Sequence, residues 1–346
     1  VSQSLSETTS SSGELSTTLA LDRREVRQLT GLRLFAAAWV VLFHFSYTHG
    51  SGLATALAPA YPVVTTGAMG VDLFFVLSGF VIAFTYLDKV GQRLRPRVAG
   101  KFLLARICRI WPAYALVSTV FLGFLVFKRG YWGISQPAYQ NVQPSLTVGA
   151  WLRQLTLTQM WNQPWHDGAS FVGPAWSVSA EFFAYALFPI TALAFFRLGR
   201  RLDRQQSRGW RRLCGVLAVA VLAPESVLCL LTGSPYFPFS WLARIVGGFT
   251  SGVLVYLVVR DIPRTTRVRR VAALLSWALL GLALAGLVLG AWLGPGPDGV
   301  STERGGVVLL LFPPLVGALS LASGPLVRLL STPVVVHGGR ISYSLY

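Results

Sequence analysis

Charge is scarce in this chain. Asp, Glu, Lys and Arg make up 12% of its 346 residues, about half the share typical of soluble globular domains, which argues against a water-soluble domain. Acidic residues are the scarcest: 13 Asp and Glu stand against 30 Lys and Arg, for a net charge of +17. Cysteine is also rare. Cys108, Cys214 and Cys229 match neither a metal-ligand spacing nor a disulfide pairing, and each lies in or beside an apolar run, as small buried hydrophobes do. No metal is called for. The abundant component is apolar: 53% of residues are hydrophobic and the mean hydropathy is +0.56. A bilayer is the solvent that such a composition suits.

Apolar runs of about twenty residues, enough to cross roughly 30 Å as helices, occur near 29–48, 68–87, 110–128, 176–196, 213–232, 240–259, 271–293 and 305–323. A ninth begins near 334 and is still running at Tyr346. The predicted fold is all-α, a polytopic transmembrane helix bundle occupying 28–346. Residues 1–27, rich in Ser and Thr, read as a disordered tail. The first apolar stretch arrives too late and runs too long for a cleavable signal peptide.

Lys and Arg alternate between the connecting segments. The N-terminal flank carries Arg23, Arg24 and Arg27, and 49–67 carries none. Segment 88–109 carries Lys89, Arg93, Arg95, Arg97, Lys101, Arg106 and Arg109, whereas the long segment 129–175 has only Arg129 and Arg153. Seven arginines follow in 197–212, none in 233–239, five in 260–270 and one in 294–304. By the positive-inside rule the N-terminus and the basic loops are cytoplasmic, and 129–175 is external. Topology accounts for most of the +17, so no nucleic-acid partner is implied; membrane lipids are the expected surroundings.

Six ionisable residues remain inside the spans: Arg33, His44, Asp72, Glu181, Glu225 and Arg244. Such residues are costly in lipid and mark functional sites by default. Arg33 falls towards the cytoplasmic end of the first span, and His44 lies roughly 16 Å further out. Asp72, Glu181, Glu225 and Arg244 are expected in the outer half, near the depth of His44. Each has a plainer alternative. His44 can be an interfacial hydrogen-bonding residue, Asp72 a helix cap, and Glu225 with Arg244 a buried neutralising pair. "SGF" at Ser78–Phe80 can be a close-packing site of small residues.

Five phrases in order give the chain a family likeness: Arg33 and His44 separated by ten residues, "VDLFFVLSGF" at 71–80, "ARICRIWPAY" at 105–114, "WSVSAE" at 176–181 and "ISYSLY" at 341–346. The chain resembles the acyltransferase-3 family of integral membrane O-acyltransferases over most of its length from Leu29 onward. That family continues past "SYSLY" with a further part-span, and the resemblance implies that the nine spans here would become ten in the full protein. It also places an acid shortly after the arginine matched by Arg244, where this chain has "RIVGGF".

The resemblance implies transfer of an acyl group from an acyl-CoA donor to a hydroxyl of a carbohydrate-containing acceptor, such as an envelope glycan or glycolipid. The enzyme would be multi-pass in the cytoplasmic membrane. On this reading His44 is the general base, oriented by Glu181 or Asp72. Arg106 and Arg109, three apart on one helix face, contact the phosphates of the donor. Arg33, counted with the catalytic residues as well, and Ser78 lie along the path of the donor, and Trp176, Arg244, Glu225 and Tyr343 meet the acceptor. In 129–175, His166 and Asp167 either serve the acceptor or cap a turn. The rival reading is a proton-coupled transporter or flippase of a lipid or glycolipid, because intramembrane Arg, His and carboxylates also make relays.

Overall fold

The computed structural model describes residues 25–46, 56–57, 60–138, 140–205, 208–295, 297 and 303–342. Its main helices are α1 (Arg27–Ser46), α2 (Gly70–Val90), α3 (Pro96–Gly130), α4 (Val148–Leu155), α5 (Trp176–Gln205), α6 (Arg208–Ala220) and α7 (Ala223–Thr232). They continue with α8 (Ser240–Val259), α9 (Thr266–Trp292), a 3-10 segment (Glu303–Leu311), α10 (Phe312–Leu321), α11 (Pro325–Leu330) and α12 (Pro333–Ile341). No strand occurs among the described residues. Eight stretches among them are long and apolar enough to cross a bilayer. The ninth apolar stretch begins as α12, nine residues long, and Tyr343 at its end lies outside the described residues.

Local signals set most helix starts. Proline stands in the first turn of α3, α7, α10, α11 and α12, where its missing N–H costs nothing. Thr265 caps α9 by accepting from the Val268 N–H at 3.2 Å. Three spans differ from the sequence expectation, the eighth because it opens as the 3-10 segment. The third starts at Pro96 rather than near 110 and runs 35 residues, about 52 Å. That exceeds the bilayer core, so its first turns, bearing Arg97, Lys101 and Arg106, extend beyond it. The fifth is broken between α6 and α7, where Pro224 cannot donate to the preceding turn.

α2 sits at the centre, with 89% of its apolar window buried, against 28% for α3 and 22% for α9 on the periphery. It packs on α8 through small residues. A Cβ on Gly79 would collide with the backbone of Phe249, and one on Gly252 with the Val76 carbonyl. Glycine at both sites lets the two backbones touch. α1 lies against α2 and α12. Gly339 of α12 meets the Thr30 carbonyl in the same way, and Arg340 reaches Glu25 beside the start of α1.

Candidate active site

α1 turns Leu29, Leu32, Arg33, Ala36, Ala37, Val40 and Phe43 into the bundle. His44 stands eleven residues after Arg33, about 20° away around the helix and about three turns along it. The spacing thus places both on one stripe. Arg33 is buried, at 4% exposure, whereas His44 is exposed at the C-terminal end of the helix. The His44 Nδ1 lies 2.8 Å from the Val40 carbonyl. A carbonyl only accepts, so Nδ1 carries the proton. In the neutral ring this leaves the Nε2 lone pair free to face away from α1.

The expectation that a carboxylate orients His44 is not met. The Val40 carbonyl takes that role, and Asp72 and Glu181 are engaged elsewhere. Glu181 accepts from Ser78 and from the Tyr185 hydroxyl at 2.5 Å, and the two hydroxyls are 2.9 Å apart. Depth explains this. A Cβ on Gly70 would approach Val40 and Ala36 of α1, and Ser78 lies eight residues, about 12 Å, further down α2. Glu181 therefore sits near the level of Arg33, well below His44. "SGF" does three separate things: Ser78 binds Glu181, Gly79 admits α8, and the Phe80 ring meets Tyr256 edge-on at 5.9 Å. The close packing of small residues is at Gly79.

Asp72 is not a helix cap. Both its oxygens engage Arg244, from Nε at 2.9 Å and Nη2 at 2.7 Å, in the bidentate geometry that suits guanidinium to carboxylate. The same Nη2 donates to the Ala68 carbonyl at 3.2 Å. Glu225, in the first turn of α7 after the break, lies 3.3 Å from the Arg244 Nε. Arg244 thus takes its acids from α2 and α7. Aromatic rings cover the cation, with Trp176 at 5.0 Å and Tyr236 at 5.4 Å from the guanidinium carbon. His166 leans on both, 4.5 Å from Tyr236 and 5.7 Å from Trp176. The loop carrying His166 is tied to the start of α8, where Phe239 N–H donates to Pro164 and Trp241 Nε1 to Gln163. Asp167 accepts from the Val142 N–H at 3.1 Å and joins two parts of the segment between α3 and α5.

Burial, reinforced by the positive Arg244, pushes the His166 imidazolium down from 6.5 to about 4. Between those values the unfolded chain takes a proton that the folded one refuses, so stability falls as pH is lowered through that window. The melting temperature of the purified protein is expected to drop from pH 7 towards pH 4. His166→Gln should flatten part of that slope; an unchanged slope would count against this assignment.

At the other end of the bundle, Arg106 is half-buried. It donates to the Tyr86 hydroxyl at 3.0 Å, and its guanidinium carbon lies 5.2 Å from the Tyr86 ring centre. Arg109 is on the same helix and exposed. The six intramembrane residues thus divide into three groups rather than one level: His44 near the C-terminal end of α1, Asp72 with Glu225 and Arg244 next, and Glu181 at the depth of Arg33. Tyr185, Tyr236 and Tyr86 were not anticipated. Only Tyr185 had a legible signal, standing one helical turn after Glu181.

A family model described as an acyltransferase domain (acyltransferase-3) matches residues 26–346. The chain belongs to this family. Among curated members of similar sequence, "Acyltransferase MdmB" of Streptomyces mycarofaciens is 28% identical over 279 residues, which is 75% of this chain and 62% of that protein. "Protein 2 in picA locus" of Rhizobium radiobacter is 28% identical over 212 residues, 60% of this chain and 94% of that one. "Putative peptidoglycan O-acetyltransferase YrhL" of Bacillus subtilis is 30% identical over 107 residues, 31% of this chain and 14% of that protein. The chain therefore spans less than two thirds of the Streptomyces protein and a small part of the Bacillus one. No solved structure matches. The arrangement of Arg33, His44, Asp72, Glu181 and Arg244 lies within the matched region.

Proposed function

We propose that the chain is an O-acyltransferase. It moves an acyl group, acetyl, succinyl or similar, from cytosolic acyl-CoA to a hydroxyl of an envelope glycan, glycolipid or other carbohydrate-containing acceptor. Supporting this are the family membership and the names of its relatives, one an acyltransferase and one a putative peptidoglycan O-acetyltransferase. The observation that carries the mechanism is the Nδ1 hydrogen bond of His44 to Val40, which leaves Nε2 as a base. A neutral alcohol attacks a thioester poorly. Nε2 takes the hydroxyl proton as the oxygen bonds to the thioester carbon. The tetrahedral oxyanion then collapses, expelling the thiolate of CoA, and the imidazolium returns its proton to that sulfur.

The N-terminus and the arginine loops are cytoplasmic in this reading, and the protein is multi-pass in the cytoplasmic membrane. CoA enters at Arg106 and Arg109. Guanidinium forks suit its phosphates, and Tyr86 pre-positions Arg106. Arg33 and the Ser78–Glu181–Tyr185 group line the way from that mouth towards His44, where the pantetheine arm would run. With the acceptor saturating and the donor varied in moderate salt, Arg106→Ala/Arg109→Ala is expected to raise the KM for acyl-CoA by about tenfold or more, with a smaller change in kcat. A wild-type KM would reduce the arginines to an orientation signal. Two broken spans, α6–α7 and the 3-10 segment with α10, give the transporter reading a physical basis. Slow thiol release from acyl-CoA by the purified protein in detergent separates the two, since a transporter releases none.

A further inference from the structure

The arginine-loop end of the bundle holds a cavity of about 510 Å3 between α6, α8, α9 and α10. Its walls are almost wholly apolar, formed by residues such as Gly215, Ala218, Val255, Val259, Val271 and Gly317. Small residues create the space: a Cβ on Gly215 would meet nothing within 4 Å. Val271 is 56% exposed, so the cavity opens sideways, towards the layer that surrounds the bundle. The sole cation among its lining residues is Arg267, in the first turn of α9.

The charge around this mouth is lopsided. Arg211 and Arg260 share one acid, Asp261, at 3.5 and 3.1 Å. Arg264, Arg267, Arg269 and Arg270 crowd the same turn, and among the described residues none of these four has an ion-pair partner. A hydrocarbon slot beside uncompensated guanidinium groups is complementary to a chain that ends in a phosphate. The proposed donor machinery lies elsewhere, on α1, α2, α3 and α5, and none of these helices contributes to these walls.

We propose that this crevice binds one anionic phospholipid of the leaflet that the arginine loops face. One acyl chain lies between α6, α9 and α10, and the phosphate sits on Arg267. Because the surrounding lipid is equally apolar, specificity rests on fit in the slot and on the phosphate contact, not on hydrophobic burial.

The test uses delipidated protein in neutral detergent, titrated with phosphatidylglycerol or with phosphatidylcholine of the same chains, and read by native mass spectrometry and thermal melting. One phosphatidylglycerol is expected to be retained and to raise the melting temperature, and phosphatidylcholine to be held more weakly. Gly215→Phe fills the slot without a clash at Cβ and is expected to lower retention of both lipids while leaving the lipid-free melting temperature unchanged. Arg267→Gln is expected to lower phosphatidylglycerol retention by about fivefold, the worth of one arginine near an anionic headgroup, and to leave phosphatidylcholine untouched. Equal retention of the two lipids, or wild-type retention by both variants, overturns the proposal. So does displacement of phosphatidylglycerol by an equimolar long-chain acyl-CoA, because the slot would then belong to the donor.

Discussion

His44→Ala is expected to lower acyl transfer by about a hundredfold to ten-thousandfold, the usual worth of a positioned general base, with the protein inserted and folded as before. The ring is exposed at the C-terminal end of α1. Its contacts are the Val40 carbonyl and an edge-on approach to Phe43 at 5.1 Å, so its removal opens no cavity in the core. The loss should appear in kcat, because the base acts on the hydroxyl proton as the carbon–oxygen bond forms and adds little to ground-state binding of either substrate. The measurement is thiol release from acyl-CoA together with ester formation on the acceptor, alongside a melting curve. His44→Gln sharpens it. Glutamine can keep a hydrogen bond to the backbone, yet it has no basic lone pair, so it should be as inactive as alanine. Transfer at the wild-type rate by either variant, correctly inserted, would remove His44 from the chemistry.

What the sequence makes legible is whatever one helix determines by itself. The Arg33–His44 spacing is such a case: eleven residues bring the two back to one stripe, whatever α1 packs against. The number of spans and the alternation of arginines are equally local. The third span shows the limit of hydropathy, because apolarity ends at the arginines of 97–109 whereas the helical backbone continues to Pro96. Helix geometry tolerates charges that project past the bilayer, and a proline at the first turn was the better signal. Depth between helices was not legible. Glu181 was expected beside His44 because both lie near the ends of their spans. The register of α2 against α1, set by where Gly67 and Gly70 allow contact, carries Ser78 and its partner Glu181 down to the level of Arg33. Asp72 and Arg244 are 172 residues apart, and no periodicity within either helix announces that pair. His166 belongs with them only because the loop before α5 folds back onto α8.

Arg244→Met is expected to be the most damaging single change to the fold. Arg244 is 1% exposed and ties Asp72 of α2 to Glu225 of α7, beneath Trp176 of α5 and Tyr236. Removing the cation leaves two carboxylates buried together without a counter-charge. Breaking a buried pair in this way costs about 3–5 kcal/mol, and loss of the contact with the rings adds to it. Folded yield in detergent should fall steeply, with a lowered melting temperature. Arg244→Lys keeps the charge but not the fork that holds both Asp72 oxygens, so it should fall between wild type and methionine. The decisive variant neutralises the group as a whole. Asp72→Asn, Glu225→Gln and Arg244→Met together leave no unpaired charge, and replacing a complete buried ion pair is often neutral for stability. That triple variant should melt near the wild type. If it also transfers acyl groups normally, the cluster is a structural clamp between α2, α7 and α8; if it folds but is inactive, the cluster meets the acceptor. A wild-type melting temperature for Arg244→Met alone would show that these contacts contribute little to holding the helices together.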